Sequence, residues 1–180
     1  MKQKKLTSLD VEVAVAQYFG PRQNLAVPNL SHGLLKYEAD LVFMTKSGYL
    51  TEVEIKVTKA DVKRDLEKNH RHDDPRIKQL YFAIPDYLDT EEVRAMIPQR
   101  AGILTVSSDR DLTYRYVKCT RNPYVDTSTR ALGLSDMYQF ARLGALRIWA
   151  LKRDKLRAKA ELLELRGRVK LLQETAHGTK

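Results

Sequence analysis

The stretch YEADLVFMTKSGYLTEVEIKV, residues 37–57, decides the fold of this chain. Two strand-like runs, residues 37–45 and 49–57, flank Lys46-Ser47-Gly48, which predicts an antiparallel hairpin. Side chains of a strand point alternately to its two faces. We therefore expect Glu52, Glu54 and Lys56 to project together from one face of the second strand.

The turn fixes the register of this hairpin. If Gly48 adopts the left-handed conformation that glycine tolerates, Thr45 pairs with Tyr49 across a three-residue turn. Asp40 then lies opposite Glu54 on the charged face, whereas a two-residue turn would place the two carboxylates on different faces. The pairs expected on the apolar face are Phe43–Thr51, Leu41–Val53 and Ala39–Ile55.

Asp40 and Glu54 are candidates for a metal site. Two carboxylates opposed across strands, about 5 Å apart at Cβ, repel each other and destabilise a sheet unless something compensates. Mg²⁺ suits this task, because it binds one or two carboxylates and keeps water and phosphate oxygens as its other ligands. Lys56 would orient an attacking water or stabilise charge on a phosphate. These groups indicate a phosphodiester hydrolase that uses Mg²⁺, with Mn²⁺ as a substitute.

A second interpretation of the same residues involves no chemistry. Acids and lysines are common in soluble sequences, and an antiparallel hairpin often exposes one polar face to water. Glu38 and Lys56 would then form an exposed ion pair worth under about 1 kcal/mol. The shared face and the turn register favour a functional site over this solvated face.

Asp40 and the segment Glu54-Ile55-Lys56 resemble the second and third motifs of the PD-(D/E)xK nuclease superfamily. Glu12, on the first predicted helix, matches the helical acid that this family often adds before the hairpin. Ala39 stands where the family name has proline, and the helix after Lys56 has no clear glutamine-type motif. More narrowly, the chain is similar to MmcB-type DNA-repair proteins and related phage proteins. This similarity is carried by Asn24–Asn29, Glu38–Leu41, Glu52–Val57 and Tyr81–Pro85.

The resemblance implies a restriction-endonuclease-like fold and a metal-dependent nuclease that hydrolyses DNA, in DNA repair or in the processing of phage or mobile-element DNA. It assigns Asp40 and Glu54 as metal ligands, Lys56 as a catalytic residue and Glu12 as a supporting catalytic acid. The alternative is a non-catalytic DNA-binding or assembly protein that keeps the fold.

The whole chain predicts an α/β protein, with a mixed β-sheet flanked by helices in the order αβββαβαββ and a long helix at the C-terminus. A capping box at Thr7 and Asp10 begins the first helix, which ends at Gly20-Pro21. Predicted strands are Leu25–Pro28, Tyr37–Thr45, Tyr49–Val57, Ile77–Ile84, Gly102–Val106 and Leu112–Val117, and the intervening helices are Lys59–Asn69 and Thr90–Ile97.

Polar residues after the hairpin have competing interpretations. Lys59 and Lys63 lie one turn apart at the start of a predicted helix, where they would hold a phosphate or form a solvated face. Glu52 is either an extra metal ligand or a residue at the rim, and we expect the rim. The string His70–Asp74 has no distal ligand pair at zinc spacing, so we expect a polar, solvated turn.

The C-terminal region predicts one long basic helix. Ser135 is the expected N-cap, and Ala, Leu, Arg and Lys dominate to about Leu172. Basic residues such as Arg147 and Arg153 would contact DNA phosphates or form a solvated face. Apolar residues at spacings of three and four are compatible with a dimeric coiled coil or with packing on the core. These apolar residues are Ile148, Leu151, Leu162, Leu165, Val169 and Leu172, and Lys155 and Ala158 interrupt them.

Composition favours a polyanionic partner. The 180 residues carry a formal net charge of +9, which makes DNA the expected partner. The single cysteine, Cys119, excludes an internal disulfide and a cysteine-based zinc site. Without a run of about 18 apolar residues, we expect a cytoplasmic protein that has no membrane contact. We divide the chain into a nuclease-like core at 1–120, a connector at 121–134 and a basic helix at 135–180, with a homodimer through that helix as one option.

Overall fold

The computed structural model describes residues 5–30, 33–66, 72–109 and 113–177. A short 3₁₀ turn, Asp86–Leu88, follows the fourth strand. In chain order the other elements are α1 (Ser8–Tyr18), β1 (Leu25–Leu30), β2 (Ala39–Met44), β3 (Leu50–Ile55), α2 (Lys59–Leu66), β4 (Ile77–Pro85), α3 (Glu91–Met96), β5 (Gly102–Ser108), β6 (Arg115–Arg121) and α4 (Leu134–His177).

The strands form one six-stranded sheet in the order β1-β2-β3-β4-β5-β6. β3, β4 and β5 run parallel to one another, and the other neighbours are antiparallel. The predicted α/β class with a mixed sheet is confirmed. β6 lies later than expected, because Tyr116 and Lys118 of this edge strand are exposed and its apolar alternation is weak. The predicted start of β6 at Leu112 and the predicted end of α2 at 67–69 lie outside the described residues.

The hairpin has the predicted register. Leu41 pairs with Val53 and Phe43 with Thr51. Gly48 has a φ of 83°, and Thr45 N donates to Tyr49 O at 3.0 Å across the three-residue turn. The positive φ confirms the requirement for glycine at this position.

Helices cover both faces of the sheet. Val11 and Val15 of α1 pack on one face. Val62 of α2 and Val93 of α3 pack on the other face, which also receives Phe140 of α4. β3 is therefore a central strand, and all six of its residues are buried. The solvated-face interpretation of the hairpin is wrong, because no face of a central, doubly covered strand is open to water.

The predicted capping box begins α1. Thr7 Oγ1 accepts a hydrogen bond from Asp10 N at 3.2 Å, and Asp10 Oδ2 accepts one from Thr7 N at 2.9 Å. Asp10 also forms an ion pair with Arg115 of β6. The hydrogen bonds from the Thr7 side chain and backbone, more than the ion pair, lower the pKa of Asp10 from 3.8 to about 2.

Asp10→Asn is expected to lower the free energy of unfolding by about 1 kcal/mol at neutral pH, a value reduced for solvent screening near the surface. Because the folded-state pKa is lowered, this stabilisation is present above pH 3.8 and is lost as the pH falls through about 2. Urea unfolding of wild type and variant at pH 7 and pH 3 measures the difference, with Asp73→Asn at an exposed position as the control. A difference that does not shrink at pH 3 would contradict a role for the Asp10 charge.

The chain divides into two compact units, Met1–Gly144 and Ala145–Lys180. The first unit includes the predicted connector and the beginning of α4, where Phe140 is fully buried. Leu132 N in the connector donates to Gly48 O at 3.0 Å. α4 begins at Leu134, and Met137 N donates to Gly133 O at 2.9 Å, so the predicted N-cap Ser135 already lies within the first turn.

The second unit is a helix through His177. Its described large apolar side chains are exposed by 49–72%. Lys152 Nζ lies 4.8 Å from the centroid of the Trp149 indole, and Arg168 pairs with Glu164 at 2.7 Å. Across the described ranges, no helix combines the length and apolar character that a membrane span needs.

Candidate functional site

Asp40, Glu54 and Lys56 meet on one face of the hairpin. Lys56 Nζ lies 2.5 Å from Glu54 Oε2 and 3.4 Å from Asp40 Oδ2. Asp40 Oδ2 accepts a hydrogen bond from Ile55 N at 2.8 Å, and Asp40 N donates to Glu54 Oε1 at 3.4 Å. The register derived from the turn therefore brings two carboxylates and an ammonium group into contact.

The three groups differ in their access to solvent. The Asp40 side chain is 39% exposed, whereas those of Glu54 and Lys56 are 1% and 6% exposed. Of the three, Asp40 is therefore the group that a molecule from solvent would meet first. Asp40 and Lys56 line an open cavity of about 340 Å³ together with Ile55, Asp61, Arg64 and Asp65.

Glu12 of α1 lies within electrostatic reach of Asp40. Burial raises the pKa of Glu12, and the negative charge of Asp40 raises it further. The pKa of Asp40 is itself raised, first by burial and then by Glu54, and the ammonium of Lys56 only partly opposes this. The predicted helical acid thus belongs to the electrostatic surroundings of the hairpin carboxylates.

Two residues that the sequence analysis missed, Asp65 and His72, connect to this group. Asp65 Oδ1 lies 3.2 Å from Lys56 Nζ, and Asp65 Oδ2 lies 2.7 Å from His72 Nε2. His72 Nδ1 lies 2.8 Å from Glu52 Oε1 and 3.6 Å from Glu54 Oε1. Asp65 therefore links the lysine of β3 to a buried histidine.

The expected solvated turn at His70–Asp74 is wrong in its described part. His72 and Asp74 are buried, at 1% and 2% exposure, while 70 and 71 lie outside the described residues. Arg76 binds both oxygens of Asp74, and Arg100 donates to His72 O. Zinc spacing could not reveal this arrangement, because the partners of His72 are carboxylates of β3 and α2.

Glu52 is also buried rather than at the rim. Its exposure is 0%, because it lies on the covered side of a central strand. Tyr37 Oη donates to Glu52 Oε2 at 2.6 Å, and His72 contacts the other oxygen. Both carboxylate oxygens are thus satisfied inside the protein, as buried charges require.

The site holds more negative than positive formal charge. Four carboxylates, from Asp40, Glu52, Glu54 and Asp65, surround Lys56 and His72. Burial lowers the pKa of His72, but hydrogen bonds to Asp65 and Glu52 outweigh it and raise the value to about 9. Burial opposes the charge of Lys56 too, yet Glu54 and Asp40 raise its pKa. The group therefore sets four carboxylates against two basic side chains, an excess of acidic groups in a place that could hold a metal ion.

A buried group that could hold a metal ion lies among the described residues. Glu52, Glu54 and His72 offer ligand atoms within 4.8 Å of one another. This group shares Glu54 with the predicted Asp40–Glu54 pair but contains Glu52 and His72 in place of Asp40. A ligand role for His72 requires loss of the proton from one ring nitrogen.

The basic candidates of α2 differ in their surroundings. Lys59 Nζ lies 2.5 Å from Glu92 Oε1, and Lys63 is exposed. Thr58 Oγ1 accepts from Asp61 N at 3.1 Å, so one amide group of the first turn is already used. Arg64, which the sequence analysis did not select, lines the cavity instead. Arg147 and Arg153 lie on α4 in the second unit, and their DNA contacts stay a prediction.

Comparison with known proteins defines the fold alone. The chain is similar to a solved structure of a protein of unknown function from Silicibacter pomeroyi, with 15% sequence identity and a TM-score of 0.61, over 84% of this chain and 96% of that chain. No family model and no curated protein matches the sequence.

Proposed function

We propose that this protein is a metal-dependent nuclease that hydrolyses DNA phosphodiester bonds. The observation that carries the proposal is the contact of Lys56 with Asp40 and Glu54 beside an open cavity. Two carboxylates and a lysine on adjacent strands can hold a divalent cation and a phosphate side by side. The motif resemblance to PD-(D/E)xK nucleases supports the same chemistry.

Asp40 and Glu54 would hold the ion. The negative charge of the group and the pKa of Asp40, which burial and Glu54 raise, indicate a place where added positive charge is stabilising. Mg²⁺ prefers oxygen ligands, and Asp40 is the accessible carboxylate, whereas His72 is protonated at neutral pH. A bound Mg²⁺ would polarise the scissile phosphate and lower the pKa of a bound water.

Lys56 would act as a fixed positive charge rather than as a base. Glu54 and Asp40 raise its pKa, so the ammonium group keeps its proton at neutral pH. A cation held by two carboxylates beside the cavity is preorganised to stabilise the charge that develops on the phosphate. Glu12 would support the site from α1 through its interaction with Asp40.

DNA would be bound through its backbone. The net charge of +9 supplies long-range attraction, and Arg64 places a guanidinium at the cavity. The contacts proposed here are to phosphates rather than to base edges, so we propose weak sequence preference. The resemblance favours a role in DNA repair or in processing phage or mobile-element DNA.

Asp40→Asn tests the proposal. We expect the wild type to cleave DNA in the presence of Mg²⁺ or Mn²⁺ and to lose this activity when a chelator is added. The cleavage rate of the variant should be at least about 100-fold lower, because a metal ligand is removed. The melting temperature of the variant should be equal to or above that of wild type, because the pKa of Asp40 is raised and its charge is unfavourable in the fold. Asp73→Asn, at an exposed position, is the matched control. Metal-dependent cleavage that survives Asp40→Asn would overturn the proposal.

A non-catalytic DNA-binding protein is the second candidate. The observation that favours it is the internal pairing of Lys56, which contacts Asp65 as well as Glu54 and is stable without substrate. Calorimetric titration with Mg²⁺ or Mn²⁺ separates the two candidates. A nuclease should bind the ion in the wild type and lose that binding in Asp40→Asn. A non-catalytic protein needs no metal site and should bind DNA equally well in the wild type and in Asp40→Asn.

A further inference from the structure

The helix of the second unit carries an apolar seam with a seven-residue repeat. Ile148, Lys155, Leu162 and Val169 occupy heptad position a, and Leu151, Ala158, Leu165 and Leu172 occupy position d. We call these eight residues the seam. The helix is continuous through all of them, so the spacings of three and four place them along one side.

The seam is exposed in the single chain. Its six large apolar side chains are exposed by 49–68% of their surface. A helix of this kind gains stability mainly by burying its apolar stripe against another surface. A repeat of 3.5 residues, rather than 3.6, is the period of a helix that winds around a second helix.

The residue types of the seam favour two parallel strands. β-branched residues occupy two of the four a positions, at Ile148 and Val169, and leucine occupies three of the four d positions, a combination that favours a parallel dimer over higher oligomers. Lys155 is the one charged residue of the seam, and a single lysine at position a sets register and oligomeric state at some cost in stability.

Charges beside the seam select the orientation. In a parallel pair, position g of one helix faces position e of the next heptad in its partner, which joins Asp154 to Lys159 and Glu161 to Arg166. Only Arg147 and Lys152 form a like-charged pair in this arrangement. In an antiparallel pair the e positions face one another, and Lys152, Lys159 and Arg166 would all repel. The charge pattern is therefore complementary to a second copy in the parallel orientation.

We infer that residues 148–172 form a parallel two-stranded coiled coil with a second copy of this chain. The inference is independent of the proposed nuclease activity, because no seam residue belongs to the hairpin site. In a parallel pair both copies of Ala145 lie at the same end of the coiled coil, so both first units are tethered to that end.

Sedimentation equilibrium on the full chain tests the association. Wild type is expected at twice the chain mass of 20.7 kDa, and Leu165→Asp at the chain mass, because a charge at position d breaks the seam. Leu163→Asp is the matched control, since Leu163 is more exposed, at 72% against 57%, and lies at position b. A monomeric wild type, a monomeric Leu163→Asp or association only in the presence of duplex DNA would overturn the inference.

Single cysteines in a Cys119→Ser background test the orientation. Val169→Cys is expected to give a disulfide-linked dimer in redox buffer, because facing a positions bring the two Cα atoms to about 6 Å. Ala160→Cys, at the outward f position, should give little disulfide-linked dimer. In an antiparallel pair centred on the seam the two residues 169 would lie about 27 Å apart, since each helical residue rises 1.5 Å. Failure of Val169→Cys to cross-link above the Ala160→Cys level would overturn the parallel arrangement.

Discussion

Lys56→Met is expected to reduce metal-dependent DNA cleavage by at least about 100-fold, the usual cost of losing a preorganised charge at a transition state. Methionine keeps the length and apolar stem of lysine but removes the ammonium that contacts Glu54 and Asp40. The loss should appear in kcat more than in KM, because the charge acts where negative charge develops on the phosphate. Single-turnover cleavage of end-labelled duplex DNA measures it.

Stability gives a second readout for Lys56→Met. The substitution removes the ammonium partner of two buried carboxylates, Glu54 and Asp65, so we expect the free energy of unfolding to fall by about 3 kcal/mol with chelator present. Lys118→Met removes the same charge from the exposed face of β6, three strands from β3, and should change neither cleavage nor stability appreciably. If Lys56→Met remained folded and cut DNA at the wild-type rate, the assigned role of the ammonium would be wrong.

His72→Phe is expected to produce the largest loss of stability, about 3–5 kcal/mol at pH 7, because it leaves two buried carboxylates without their shared cation. Phenylalanine suits the space, since the imidazole already lies edge-on to Tyr37 and Phe82 at 5.7 Å between ring centroids. The loss of unfolding free energy therefore measures the lost charge and hydrogen bonds to Glu52 and Asp65 rather than a packing defect. Urea unfolding with chelator present measures it.

A double-mutant cycle makes this second prediction specific. In a Glu52→Gln background, His72→Phe should cost about 2 kcal/mol less, because one of the stranded carboxylates is already neutral. The pKa of His72 is raised from 6.5 to about 9, so its stabilisation is complete below pH 6.5 and is lost as the pH rises through about 9. The difference between wild type and His72→Phe should shrink across that window. Strict additivity, or a difference that grows with pH, would contradict a charged His72.

The hairpin could be predicted from the sequence because its determinants are local. The alternation along β3, together with the one glycine of the turn that takes a positive φ, leaves a single register that keeps Asp40 and Glu54 on one face. Both carboxylates and Lys56 followed from that register alone. The capping box at Thr7 was predictable for the same reason, since its partner lies three residues away.

Asp65 and His72 could not be predicted, because their roles depend on contacts across the sheet. The alternating pattern of β3 reads as a strand with one open face, yet α2 and the segment before β4 cover that face. A charged residue on a strand gives no local sign of whether a helix will lie over it. For this reason the sequence did not reveal the burial of Glu52, or the position of His72 beside its carboxylate.

The contact of Leu132 with Gly48 bears on how the protein can be dissected. A Cβ at Gly48 would lie 3.2 Å from Leu132 O, so the segment before α4 rests directly on the hairpin turn. Phe140 adds a fully buried ring to the same cluster as Leu50 of β3. An expression fragment cut at residue 120, one residue before the end of β6, would remove this cover from the turn, whereas one that continues through Gly144 keeps it.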